Sequence, residues 1–205
     1  MRPKLAVFFY VAIGTAAAQA PPPALRIRVL DYAGVPSAIL RDFSPGARAL
    51  FEQGGIASEW PTCRIQPRQG ACEPLTDGEV YVKIVPRAAP GGKMKFGTTI
   101  RVGAKGVFAY VFWARVEQAA RLHGIAPSVL LAHVVAHEAG HLLGLGHAAT
   151  GIMQSEFGAP EILGAAKGTL RFTPDEAEAL RDAMNTYLAA TTSEPAAVAR
   201  HGSNR

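Results

Sequence analysis

The order of patterned segments predicts an α+β domain in which helices cover a sheet. Three observations carry this: a strand-like alternation opens the globular part, further strand-like runs follow a first helix, and a nearly all-apolar helical stretch precedes a final amphipathic helix. Strand, helix, strands, helix is the order of a layered α+β fold rather than a sandwich. A chain of 205 residues with 49% hydrophobic content can bury such a core without cross-links. Charged residues make up 18%, too few for a disordered chain, and no run of eighteen apolar residues exists to span a bilayer.

Residues 1–18 read as a signal peptide. Met1-Arg2-Pro3-Lys4 is a positive leader, residues 5–15 form an apolar run too short for a membrane helix, and small residues close the segment. Cleavage after Ala18 is favoured over cleavage after Ala20, because Pro21 would stand beside the second bond. The mature protein is therefore expected to be secreted or periplasmic. Losing Arg2 and Lys4 lowers the formal charge from +5 to +3. The remaining basic residues are scattered singly, which argues against nucleic acid as a partner. In an oxidising compartment Cys63 and Cys72, which enclose a short Pro- and Gly-containing segment, read as a structural disulfide. Closing that ring removes roughly 2.7 kcal/mol of unfolded-state entropy.

Pro21-Pro22-Pro23 is a stiff lead-in to a domain spanning residues 24–190. Residues 25–30 alternate as a strand does. Residues 35–53 carry helical spacing that Ser44-Pro45-Gly46 should kink or divide, and Gly54-Gly55 ends it. Residues 56–60 and 79–85 are strand candidates, 86–95 a loop, and 96–102 and 107–112 two more strands around a turn at 103–106. The first of that pair is the candidate sheet edge. A short helix over 113–123 precedes the apolar helix over 129–143, which Pro127-Ser128 opens and Gly144 closes. Thr173-Pro174-Asp175-Glu176 combines a capping box with Pro at the first helical position and starts a helix to about Leu188. Residues 191–205 read as a flexible tail.

The apolar helix holds His137-Glu138-Ala139-Gly140-His141, followed by Gly144 and His147. His137 and His141 lie one turn apart, about 40° around the axis, so both rings can face one ion. Glu138 points about 100° away from His137, beside the ion rather than at it, where a base can hold a water. Gly144 permits the left-handed turn that brings His147 back. Three imidazoles leave the fourth tetrahedral position open, the arrangement of a catalytic rather than a structural zinc. By chance the pattern arises in on the order of one chain in 10⁵.

These residues resemble the signature of the metzincin metallopeptidases, H-E-x-x-H-x-x-G-x-x-H, met here at every fixed position from His137 to His147. The resemblance implies a twisted mixed sheet with two main helices above the cleft and a C-terminal helix below it. It also implies a methionine turn under the metal, and Gly151-Ile152-Met153 stands in the right place. The nearest likeness is to small bacterial matrixin-like members. Ala148 matches no branch-defining residue, and Ser155 stands where some branches carry a tyrosine, so no tyrosine ligand is assigned.

The expected function is that of a monomeric zinc endopeptidase with one catalytic Zn2+, Glu138 as general base and a peptide or protein as substrate. The peptide would lie extended along the edge strand. Two rival readings use the same residues: a metal-dependent amidase acting on cell-wall peptides, and a non-catalytic metal-binding module. Calcium is left undecided, because Asp31, Asp42, Asp77 and Asp175 lack the dense spacing of a dedicated loop. His133 lies two turns, about 11 Å, from His141 and is assigned to the core or to a supporting role. His123 and His201 are read as bystanders. Trp113, Phe108, Tyr110 and Phe112 are read as core and surface faces rather than a stacking platform.

Overall fold

A computed structural model describes residues 24–65, 72, 79–88, 95–102 and 105–193. The leader at 1–18, the tail from 194 with His201, Asp77, and the turn residues 103 and 104 lie outside the described residues. The elements run β1 (Leu25–Asp31), α1 (Ser37–Gln53), β2 (Ser58–Glu59), β3 (Thr62–Arg64), β4 (Val80–Val85), β5 (Gly97–Val102), β6 (Lys105–Phe112), α2 (Trp113–His123), α3 (Pro127–Leu142), α4 (Ala159–Ala166) and α5 (Pro174–Ser193). Among them no helix is long and apolar enough to cross a membrane.

The sheet has the order β2-β1-β4-β6-β5, with β3 also paired to β1. Every pairing is parallel except β5 with β6. The sheet is thus mixed, as expected, and β5 is its edge.

Register decides which side chains meet the helices. Val29, Val82 and Ala109 are aligned across three strands, as are Asp31, Ile84 and Val111. Side chains alternate along each strand, so these rows project to one face. All six are fully buried under the helical layer. The antiparallel register pairs Thr99 with Ala109 and Gly97 with Val111. Gly97 and Thr99 therefore also face the helices, while Thr98 and Ile100 face away and are exposed.

α3 is buried on nearly all sides, from Leu130 through Ala136. It packs on α1, and Gly46 allows the close crossing: a methyl there would stand 3.3 Å from Ala132 Cβ. Pro45 does not divide α1. Proline removes the bond to the carbonyl four residues back, here that of Arg41. Both residues are exposed, so water can take that oxygen.

The strand expected over 56–60 shrinks to Ser58–Glu59, and β3 forms where none was expected. Both are short because they pair only with β1, whose other edge is taken by β4. β6 begins at Lys105, earlier than the expected 107, and α5 runs to Ser193, three residues into the expected tail. α4 was not expected; it packs Ile162 and Ala165 into the core. Cys63 and Cys72 are joined as a disulfide with a Cα–Cα distance of 6.0 Å.

Asp31 organises the exit of β1. Fully buried, it accepts the amides of Ala33 and Val35 on Oδ1 and the Arg64 guanidinium on Oδ2. Arg64 also donates to the Val35 carbonyl. Asp31→Ala strands the two amides and the arginine, and is expected to cost roughly 3–5 kcal/mol. Urea denaturation of the two proteins checks this; stability close to wild type would contradict it.

Candidate metal centre

α3 supplies His137, Glu138 and His141 and stops at Leu142. Gly144 then adopts φ +99°, and the Leu145 amide reaches back to the Gly140 carbonyl at 3.0 Å. This turn does two things. It returns His147 to the other two rings, and it aims the Leu145 carbonyl at His141, whose Nδ1–H donates to it at 2.8 Å.

The methionine turn serves His137 in the same way. Gly151 has φ +84°, the Ala148 amide donates to the Met153 carbonyl at 2.9 Å, and the Ile152 carbonyl accepts His137 Nδ1–H at 2.7 Å. Carbonyls only accept, so both rings carry their proton on Nδ1 and turn a bare Nε2 inward.

The three Nε2 atoms converge. His141 Nε2 lies 3.0 Å from that of His137 and 3.1 Å from that of His147. Among the described residues this is the one group of three or more candidate ligands within bonding reach of a common ion. Two lone pairs facing each other at such range repel unless a cation lies between them. Ligands about 2.0–2.1 Å from a tetrahedral zinc stand roughly 3.4 Å apart. The donor set therefore fits the metal that the motif implies.

Burial, aided by the neighbouring rings and opposed by the bond to Ile152, pushes His137 down to about 4. The ring is thus neutral, as a ligand must be, well into mildly acid solution.

Glu138 is 4% exposed and lies between the helix and the edge strand. Thr99 Oγ1 donates to its Oε2 at 2.6 Å. Gly97 makes the approach possible: a methyl there would overlap both the Glu138 carboxylate and the Tyr110 carbonyl. Burial pushes the Glu138 carboxyl up to about 7, against the pull of the Thr99 hydroxyl and the Lys95 charge.

Met153 is fully buried and packs under α3, where a side chain on Gly140 would collide with its sulfur. Glu176 fixes the turn from below. Its Oε1 accepts the Met153 amide at 3.0 Å, and its Oε2 accepts that of Thr173 at 2.8 Å. The expected capping box thus has a second use. A cleft of about 330 Å³ opens over the site, bounded by Phe96 to Thr99 on one side and Gln154 to Phe157 on the other.

The expected residues His137, Glu138, His141, His147 and Met153 come together here. His133 stays apart in the core, and Asp31 is committed to the β1 turn. Sequence reasoning missed Gly97, Thr99 and the second role of Glu176. Only strand register brings the first two to Glu138.

No family model matches the chain, and no curated protein matches it in sequence. Among solved structures it is similar to a zinc-dependent peptidase from Methanocorpusculum labreanum, at 20% identity and a TM-score of 0.54 over 75% of this chain and 99% of that one. It is also similar to archaemetzincin from Methanopyrus kandleri, at 16% identity and a TM-score of 0.50 over 79% and 96%. The chain shares the fold of these two proteins. In this chain the histidine cluster falls in the cleft between β5 and the segment after the methionine turn.

The raised Glu138 carboxyl has a consequence for the metal-free protein. In the unfolded chain it ionises near 4.5, in the folded one near 7. Between these values the unfolded chain has lost a proton that the folded chain keeps. The site therefore costs stability that grows as pH rises from 4.5 and is complete above 7. Glu138→Gln keeps the acceptor for Thr99 without that cost. In chelator-treated protein its stability advantage over wild type is expected to widen between pH 5 and pH 8, by on the order of 3 kcal/mol. Urea melts at the two pH values check this, and an equal gap at both would contradict it.

Proposed function

We propose that this chain is a secreted zinc endopeptidase of the metzincin family, in which His137, His141 and His147 hold one zinc ion and Glu138 is the general base. The convergence of three Nε2 atoms beside a buried carboxylate, under a cleft with a free sheet edge, carries this reading. The motif supports the family; the matrixin-like branch rests on sequence resemblance alone, and the two archaeal fold relatives do not favour it. Export rests on the leader.

Zinc bound by three imidazoles would polarise the scissile carbonyl and make water more acidic. The chain's own residues do the rest. Thr99 holds Oε2 of Glu138, which leaves Oε1 to receive the proton of the attacking water and to return it to the departing amine. An elevated affinity for protons suits both halves of that transfer near neutral pH. The outer edge of β5 offers backbone groups to an extended peptide, so the substrate is held largely by its main chain. Phe96 and Phe157, with ring centroids 6.4 Å apart, and His137 beside Phe157 give the cleft an apolar wall.

Cleavage of casein, blocked by a chelator and restored by zinc, is the deciding experiment, since an amidase for cell-wall peptides or a binding module would leave casein intact. Glu138→Ala is expected to retain zinc and to lower turnover by about 10²–10⁴-fold. Metal analysis and digestion assays check both halves, and retained turnover would remove Glu138 from the mechanism. Thr99→Val is expected to lower kcat by about tenfold through loss of a hydrogen bond to a charged group, while Thr99→Ser restores it. An unchanged kcat in Thr99→Val would leave Glu138 held by packing alone.

A further inference from the structure

His133 stands one turn before His137 on α3, in a stretch of the helix that is buried from Leu130 through Ala136. Its Nδ1 lies 2.8 Å from the Val129 carbonyl and its Nε2 lies 3.1 Å from the Leu170 carbonyl. Burial disfavours the charged ring and lowers its pKa, so the neutral ring has one proton to give. Both ring nitrogens face carbonyls and a neutral ring serves only one: the Val129 oxygen already accepts the helical amide of His133 itself, whereas the buried Leu170 oxygen has no other donor among the described residues, so the proton is assigned to Nε2. The Leu170 oxygen belongs to an irregular segment between α4 and α5, where a donor from a rigid helix has most to fix.

That segment leads to the metal centre. Arg171, the next residue, offers its carbonyl to the Ile152 amide at 3.1 Å. Ile152 in turn offers its own carbonyl to His137 Nδ1–H at 2.7 Å. The path runs from His133 through Leu170 and Arg171 to Ile152 and ends on His137, so it leaves α3 and returns to it one turn later. The carbonyl that receives the Nδ1 proton sets the tilt of a ligating ring and the direction of its Nε2 lone pair. An imidazole buried among aliphatic side chains costs desolvation that a leucine would avoid. The hydrogen bond to Leu170 offsets part of that cost.

We propose that His133 is a positioning residue for the metal centre: its Nε2–H fixes the Leu170–Arg171 backbone, hence the Ile152 carbonyl, hence the orientation of His137. This deepens the zinc-site reading and rests on it.

The test compares two polar variants. His133→Gln places an amide N–H near the position of Nε2 and can still reach Leu170. His133→Asn mimics only Nδ1 and reaches Val129 alone. Zinc affinity is measured on purified full-length protein by competition with a chromophoric chelator, with circular dichroism confirming the fold. His133→Asn is expected to bind zinc about tenfold more weakly than wild type, at the low end for losing a ligand's supporting partner. His133→Gln is expected to stay close to wild type. Exchange of the Ile152 amide in the metal-free proteins is expected to quicken in His133→Asn and not in His133→Gln.

Wild-type zinc affinity in a folded His133→Asn, or an equal loss in both variants, would overturn the proposal. Should wild type take up no zinc, the metal reading fails by itself. In that case unchanged Ile152 exchange in His133→Asn would overturn the relay as well, and quickened exchange would uphold it.

Discussion

Three imidazoles must present lone pairs to one point inside a half-buried cleft, and most of the local structure answers to that demand. A lone pair on Nε2 requires a proton on Nδ1, and each such proton needs an acceptor that cannot itself donate. Backbone carbonyls meet that need, and the fold spends Leu145 on His141 and Ile152 on His137. Both carbonyls come from turns pivoting on a glycine with positive φ, Gly144 and Gly151, where a Cβ would be strained. The two turns are in turn tied down, one to Gly140 on α3 and the other to Glu176 on α5. The electrostatic cost of crowding three nitrogens, with His141 Nε2 at 3.0 and 3.1 Å from the other two, is thus opposed by these hydrogen bonds.

The same helix that carries the histidines buries Glu138 against the sheet, and here the antiparallel edge strand matters. β5 is the one reversed strand, and its register turns Gly97 and Thr99 toward α3. One removes a side chain from the path of the carboxylate, the other supplies a donor to it. A slip of one residue would point Thr98 and Ile100 inward and leave the carboxylate without either. Strand pairing therefore sets the environment of Glu138 as firmly as the helix sets the geometry of the rings. A carboxyl raised by burial is a destabilising feature, and such features gather at functional sites.

Several elements were legible because local signals and tertiary environment agree. The capping box at Thr173 and Glu176, the Pro127 start and the Gly144 stop of α3, and the alternation in β4 all act over a few residues, whereas β1 alternates in sequence but is buried at every position except Arg26. Of the kink or division expected at Ser44-Pro45-Gly46, division does not occur, because the cost of Pro45 depends on whether Arg41's freed carbonyl reaches water, which one-dimensional spacing does not record. α4 escaped notice since Ala159–Ala166 makes only two turns, with Ile162 and Ala165 as its buried contacts. β3 exists only because β1 offers it an edge.

From the sequence alone came the grouping of His137, Glu138, His141, His147 and Met153, because their spacings are fixed by helix periodicity and by glycine's freedom at φ > 0. The tertiary structure alone decided which carbonyls fix the ring tautomers, which edge-strand residues hold Glu138, and how His133 connects to His137. Apart from His141 with Leu145, four positions away, those relations join residues 15 to 39 positions apart, through hydrogen bonds whose partners are selected by packing and strand register. No local propensity encodes them.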